Sequence, residues 1–457
     1  MFKKVLVANR GEIACRVIRA CHELDVETVA VYSRADADSR HVSMAGQTIC
    51  IGEGTNAESY LNLANVLMAA EISGVDAVHP GYGYYSENAL FAEALQDAGV
   101  KFIGPPISAI RSMGDKALAK RAAIDADCPV VPGSDGVVPT EPEAVKVAES
   151  IGYPILLKAV AGGGGRGIRR VNSASEFAGA WMTVVAEAQQ NFGNSDMLVE
   201  KFLVGPRHVE IQVLGDEHGT LLHLGERECS IQNLRHQKIV EEAPCAVLDV
   251  DTRRRMGEAA VRVASSVGYT NAGTVEFLYN KSGAFYFLEM NTRIQVEHPV
   301  TEEVAGLDLV KWQLRIAAGE KLDFAQDDVT AKGHAIEARI TAQDPDQDFA
   351  PSTGKITRWH PPGFKGSRLD THVFAGFTVS PYYDSMIAKL IVTGEDRADA
   401  VQRLQVALAE FHVEGIKTNI PFLRRLAASP EFVSGEVDTG FVGRFLAETA
   451  EETVTVV

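Results

Sequence analysis

Residues 158–171 read Lys-Ala-Val-Ala-Gly-Gly-Gly-Gly-Arg-Gly-Ile-Arg-Arg-Val, and the choice between two kinds of nucleotide fold turns on the residues after the glycines. Gly162, Gly164 and Gly167 formally match the Gly-x-Gly-x-x-Gly turn of a dinucleotide site. That turn has to open a helix, because the helix N-terminus holds the pyrophosphate. Here Ile168-Arg169-Arg170-Val171 reads as a strand. A P-loop is excluded as well, since no Gly-Lys-Ser/Thr closes the run. What remains is a strand–loop–strand flap. Its glycines supply mobility and bare N–H groups that can close over phosphates, with Lys158 and Arg166 beside them.

Working outward, residues 3–8 predict a buried strand, 11–24 a helix with Ile13, Val17, Ile18 and Cys21 at helical spacing, and 27–32 the next strand. The alternation continues to about residue 104, which predicts a doubly wound α/β unit over 1–114. A second unit is expected over 115–330, with a lid over about 131–204. Its strands are read at 153–160, 168–171, 197–202, 208–214 and 220–224. Ser173-x-x-Glu176 is the pattern of a capping box opening a helix. From about Ala331 to 447 the pattern is mixed α+β. The fold class is therefore α/β and α+β, in several parts.

The chemistry concentrates in residues 274–298. A hairpin is expected, with strands 274–279 and 284–289 joined across Asn280-Lys281-Ser282-Gly283. Any even-length loop there places Glu276 and Glu289 on one face, opposite or diagonal. Two carboxylates inside apolar strands repel unless a cation lies between them. Mg²⁺ takes one or two carboxylates plus substrate phosphates, so the pair suggests an ATP site. Beyond it, Asn291, Arg293, Gln295 and Glu297 recur at every second position, with Ile294 and Val296 turned the other way. The reading is one long strand with a polar face.

The bulk numbers exclude several classes. A net charge of −17 argues against a general nucleic-acid or membrane-surface binder. No apolar run approaches the roughly 18 residues of a membrane helix. The start, MFKKVLVANRGE, has too short an apolar stretch for a secretory signal, and the six cysteines lack a Cys-x-x-Cys pair. A cytoplasmic chain with reduced thiols is expected.

The chain resembles the biotin carboxylase subunit of acyl-CoA carboxylases, of the ATP-grasp superfamily, from residue 1 to about 445. The motifs are ANRGEIA (8–14), HPGYGYYSEN (79–88), MGDK (113–116), the glycine loop, PRHVEIQV (206–213), RHQKIVEEAP (235–244), EMNTRIQVEHPVTE (289–302), GHAIEARI (333–340) and PYYDSMIAKL (381–390). The resemblance implies an N-terminal α/β domain, an ATP-grasp domain with a glycine-rich lid and a C-terminal α+β domain. It implies ATP contacts at Lys116, Lys158, Gly164, Gly165, Glu200, Lys201, Phe202, Leu203, His208, His236, Glu276 and Glu289. Glu276, Glu289 and Asn291 match metal positions for Mg²⁺ or Mn²⁺. Lys238, Arg293, Gln295, Val296 and Glu297 match the bicarbonate site, and Tyr82 and Arg339 the biotin site.

The residue types suit the implied reaction. Bicarbonate is a poor electrophile, and phosphorylation by ATP gives carboxyphosphate, which can release CO₂. Glu297 would be the general base and Lys238 and Arg293 would offset oxygen charge. Arg339 would steady the enolate of biotin after released phosphate takes the N1′ proton. Glu297, Lys238, Arg293 and Arg339 are thus the expected catalytic set.

Three positions depart from the family pattern. Gln232-Asn233-Leu234-Arg235 carries one residue more and one arginine fewer before the bicarbonate lysine, Tyr84 stands where phenylalanine is common, and Ala161 opens the glycine run. The chain has neither a Met-Lys-Met biotinylation site nor a carboxyltransferase domain. A separate biotin carboxyl carrier protein and carboxyltransferase subunits are therefore the expected partners. A homodimer is implied too, with Arg19 and Glu23 at interface positions. The expected role is the first half-reaction of an acetyl-CoA carboxylase, with a pyruvate or propionyl-CoA carboxylase as the alternative. An acyl-phosphate ligase of the same superfamily would not need RIQVEHPV or the arginine of EARI. A non-catalytic nucleotide sensor would lack the metal pair or the base, and both are present.

Overall fold

The N-terminal strands are too apolar to leave either face in water, and the fold covers both. A computed structural model describes residues 1–160 and 167–455, with the side chains of 192 and 449–455 left aside. Five parallel strands lie in the order Gln47–Gly52, Glu27–Ser33, Lys4–Val7, Ala77–His79, Lys101–Phe102. This is the doubly wound order, with helices such as Gly11–Glu23 and Leu63–Ser73 packed on the faces. The helix Gly11–Glu23 also carries a buried cation. Arg16 donates to Glu302 at 2.8 Å and Asp308 at 2.6 Å, fastening this unit to the segment beyond the polar row.

The central sheet is antiparallel and eight-stranded. Its order is Phe285–Asn291, Asn271–Tyr279, Arg207–Gly215, Leu221–Gln232, Lys238–Ala243, His334–Thr341, Met386–Gly394, Ser367–Thr371. The change of pattern read near Ala331 does not interrupt it. His334–Thr341 pairs directly with Lys238–Ala243, so the C-terminal part extends the same sheet. The structure thus has an N-terminal α/β part, a central part with its lid, and a C-terminal α+β part, the last two sharing one sheet.

Two local expectations change. The hairpin connection is odd, not even, since Tyr279 pairs with Phe285. A bulge between Glu276 and Phe277 leaves Leu288 as the extra residue, and this restores Glu276 directly opposite Glu289. The period-two row is not one strand. The strand ends at Asn291, bends and turns come next, and the helix His298–Ala305 begins with Pro299 in its first turn. The backbone leaves the ladder because the Thr292 N–H donates to Glu87, 3.1 Å away, instead of to a neighbouring strand.

The lid sheet holds Ile168–Val171, Ile155–Ala159 and Met197–Lys201, all antiparallel, under the helices Glu141–Ile151 and Ala174–Phe192. The strand expected after the glycines is present. Gly167 has φ +72°, a backbone open to glycine at little cost, and its carbonyl accepts from Ala159 at 2.7 Å. The Ser173 capping box does not form. The Glu176 carboxylate is taken by the backbone N–H of Asn172 at 2.9 Å, and the Ser173 side chain makes no cap bond. No helix among the described residues is long and apolar enough to cross a membrane.

Candidate active site

Three strands of the central sheet aim carboxylates and cations at one point. Lys238 opens the strand Lys238–Ala243, and its Nζ donates to Glu210 at 2.7 Å, Glu276 at 3.1 Å and Glu297 at 2.5 Å. Glu297 accepts from Arg339 on its other oxygen at 3.0 Å. Arg339 also donates to Glu241 at 2.6 Å. Burial alone would discharge these groups, and their mutual contacts outweigh it. Burial opposes the Glu297 charge, but Lys238 and then Arg339 hold its carboxyl well below the ordinary range. Lys238 stays charged for the reciprocal reason, surrounded by Glu210, Glu276 and Glu297.

The carboxylates of the hairpin behave differently from each other. Lys238 and His208 hold Glu276 well below the usual range in spite of burial. Burial, and next the Glu276 charge, pushes Glu289 up, against a pull from His208 and Lys116. Asn291 donates to Glu276 at 2.9 Å. Two facing carboxyls, one charged and the other pushed toward protonation by it, fit a divalent cation between them.

A cavity of about 1000 Å³ runs past this cluster. Its lining includes Lys158, Phe202, His208, His236, Lys238, Glu276, Glu289, Asn291, Arg293, Gln295, Val296, Glu297, Arg339 and Tyr82. The elements expected to hold nucleotide, metal, bicarbonate and biotin therefore meet in one space. Four expected contacts are not in the lining: Lys116, Glu200, Lys201 and Leu203. Glu200 is engaged by Lys158 and, at 3.4 Å, by Lys120. The Lys201 side chain donates to the carbonyls of Gly152 at 2.9 Å and Tyr153 at 3.0 Å. Lys116 is exposed at the start of the helix Lys116–Asp125. Gly164 and Gly165, with Arg166, lie outside the described residues.

Arg293 donates to Glu87 at 2.9 Å and to Asn291 at 2.8 Å. Tyr82 donates its hydroxyl to Glu12. The altered segment before Lys238 closes on itself. Asn233 Oδ1 accepts from the N–H groups of Arg235 and Gln237 at 2.8 and 3.0 Å, and His236 takes a positive φ of 61° at the turn. Gln232 Nε2 lies 3.1 Å from His208 Nδ1, so the extra residue is absorbed in the turn and the cavity wall is kept.

Sequence reading missed several residues. Glu210 and Arg227 lie under the cluster, Glu241 beside Arg339, and Leu156, Ile168, Leu278 and Leu288 form an apolar stretch of the cavity wall. Glu210 had a signal. His208, Glu210 and Gln212 alternate with Val209, Ile211 and Val213, as the polar residues do beyond Glu289. Glu87 had none, since its contact spans far-apart segments.

Residues 1–110 match the family model described as biotin carboxylase, N-terminal domain. Residues 115–325 match carbamoyl-phosphate synthase L chain, ATP binding domain, and 337–444 match biotin carboxylase C-terminal domain. Among characterised proteins, the biotin carboxylase of Nostoc sp. is 52% identical over 96% of this chain and 98% of its own. A pyruvate carboxylase subunit of Methanothermobacter thermautotrophicus is 49% identical over 97% of this chain and 90% of its own. Among solved structures, the Campylobacter jejuni biotin carboxylase β,γ-ATP complex superposes with a TM-score of 0.93 at 44% identity, covering 97% of this chain and 99% of that one. The biotin carboxylase domain dimer of Hydrogenobacter thermophilus 2-oxoglutarate carboxylase, in complex with MgADP, ADP and bicarbonate, gives 0.91 at 47% identity, over 97% and 98%.

Proposed function

Because this chain belongs to the biotin carboxylase family of ATP-grasp ligases, we propose that it carboxylates biotin presented by a separate carrier protein, using ATP, Mg²⁺ and bicarbonate. The observation that carries the assignment of roles is the run Lys238–Glu297–Arg339. One buried, charged carboxylate touches a cation from the bicarbonate side and a cation from the biotin side.

Glu297, kept deprotonated, takes the bicarbonate proton when substrate displaces one of its cations. Lys238 and Arg293 face the oxygens that gain charge as the γ-phosphate is attacked, and the Gln295 amide and Val296 backbone fix the anion between them. Attack forms the C–O–P bond of carboxyphosphate and releases ADP. Its breakdown gives CO₂ and phosphate, and the phosphate removes the N1′ proton of biotin. Arg339 then holds the ureido oxygen as it becomes negative. Glu276, Glu289 and Asn291 would hold Mg²⁺, which supplies charge neutralisation to the nucleotide phosphates when bound. Lys158, His208 and His236 line the same space for the phosphates, with Phe202 and the leucines beside the base.

The acceptor is read as acetyl-CoA, in a complex with carrier and carboxyltransferase subunits that supplies malonyl-CoA for fatty acid synthesis. Relatives named biotin carboxylase support this, and the pyruvate carboxylase relative supports the alternative. Arg19 and Glu23, about half exposed on the outer side of one helix, are available for a homodimer. Six free cysteines suit a reducing cytoplasm. ADP release that requires bicarbonate and rises with free biotin is the expected result. Release indifferent to both would remove the assignment. Isolation of the native complex, assayed with acetyl-CoA, pyruvate and propionyl-CoA, decides the acceptor.

A further inference from the structure

Arg227 sits on the strand Leu221–Gln232 with no exposed surface. A guanidinium has five N–H donors and accepts nothing. Here all five are used. Nε donates to Glu210 at 2.5 Å, Nη1 to Gln212 at 2.7 Å and Thr301 at 2.9 Å, and Nη2 to Thr274 at 2.9 Å and Gln295 at 2.8 Å. So complete a shell around a buried charge holds it in one orientation.

We infer that Arg227 is a positioning residue that sets which end of the Gln295 amide faces the bicarbonate pocket. Gln295 is caught between a group that only donates and a carboxylate that only accepts. Its Oε1 takes the Arg227 N–H, and its Nε2 donates to Glu276 at 2.7 Å. An amide flip would set oxygen against the Glu276 oxygen and nitrogen against the guanidinium, losing both bonds. The wall of the cavity at Gln295 therefore offers N–H rather than C=O, and an anion needs the N–H. The same guanidinium holds Glu210, whose second oxygen holds Lys238, so two donors of the anion site are aligned from one point.

The inference rests on the reading that Gln295 contacts bicarbonate, and the experiment separates the two. Arg227→Ala would strip Glu210 of a buried partner and endanger the fold. Arg227→Lys keeps a charge for Glu210 but cannot reproduce the fork that reaches Gln295. R227K, Q295A and the double variant of the full chain are compared by bicarbonate-dependent ADP release, with melting curves as a check on folding. R227K is expected to raise the KM for bicarbonate about tenfold while leaving that for ATP within about twofold. The double variant is expected to be no worse than Q295A, because the arginine acts through the amide. If Q295A raises the bicarbonate KM and R227K does not, the positioning role is overturned and the site reading stands. Multiplying losses in the double variant, or equal losses for ATP and bicarbonate, also overturn it. If Q295A has no effect, the reading of Gln295 itself fails.

Discussion

Lys238 Nζ stands 2.5 Å from Glu297 Oε1, and Arg339 Nη2 stands 3.0 Å from the other oxygen of the same carboxylate. The two cations come from adjacent strands, Lys238–Ala243 and His334–Thr341. A single acid is thus shared between the groups assigned to bicarbonate and to biotin, and the two half-steps can be separated by removing one neighbour at a time.

Glu297→Gln removes the proposed base, so bicarbonate-dependent ATP cleavage and carboxybiotin formation should fall together, by about two to three orders of magnitude. Arg339→Ser should abolish most carboxybiotin formation while slow ATP cleavage with bicarbonate persists. Fixation of labelled bicarbonate, measured beside ADP release with and without free biotin, distinguishes the variants. Matching profiles would place Arg339 with bicarbonate or phosphate instead.

Glu289 faces Glu276 across the ladder. Glu289→Gln should raise the Mg²⁺ requirement and slow ATP turnover at least about 100-fold, as loss of other transition-state charge contacts does. Turnover titrated against Mg²⁺ tests this, and near-normal rates at ordinary Mg²⁺ would take the pair out of the site.

Lys201 donates to the carbonyls of Gly152 and Tyr153. Lys201→Met should therefore cost about 1–3 kcal/mol of stability through two lost charge-assisted bonds. The KM for ATP should change less than about threefold. A weaker ATP affinity with unchanged melting would show that the ammonium reaches the nucleotide after all.

Burial pushes His41 down to about 4, against the pull of Asp36. Its ring lies 3.2 Å from the Val31 carbonyl and 3.0 Å from Ser39 Oγ. A histidine neutral in the fold and ordinary in the unfolded chain makes the unfolded state bind the extra proton. Stability is full above about pH 6.5 and declines as the pH falls to about 4, by about 3 kcal/mol in total. Denaturant midpoints across that window should show the decline, and His41→Gln should flatten it. An equal slope in the variant would assign the acid sensitivity to other groups.

Local chemistry was legible before folding. The strand after the glycines, the pairing of Glu276 with Glu289 and the types of Lys238, Arg293, Glu297 and Arg339 follow from spacing and side-chain chemistry, because register and alternation are properties of short stretches. The structure decided what depends on distant segments meeting. It ended the hairpin strand at Asn291, because Glu87, some two hundred residues earlier, takes the next N–H. It moved the even loop to an odd one and recovered the same glutamate pair by a bulge at Leu288. It also put Arg227 under Gln295 and ran one sheet through the expected boundary near Ala331. Buried charges are tolerated only when each finds its partners, and those partners are brought together by tertiary packing, not by sequence distance.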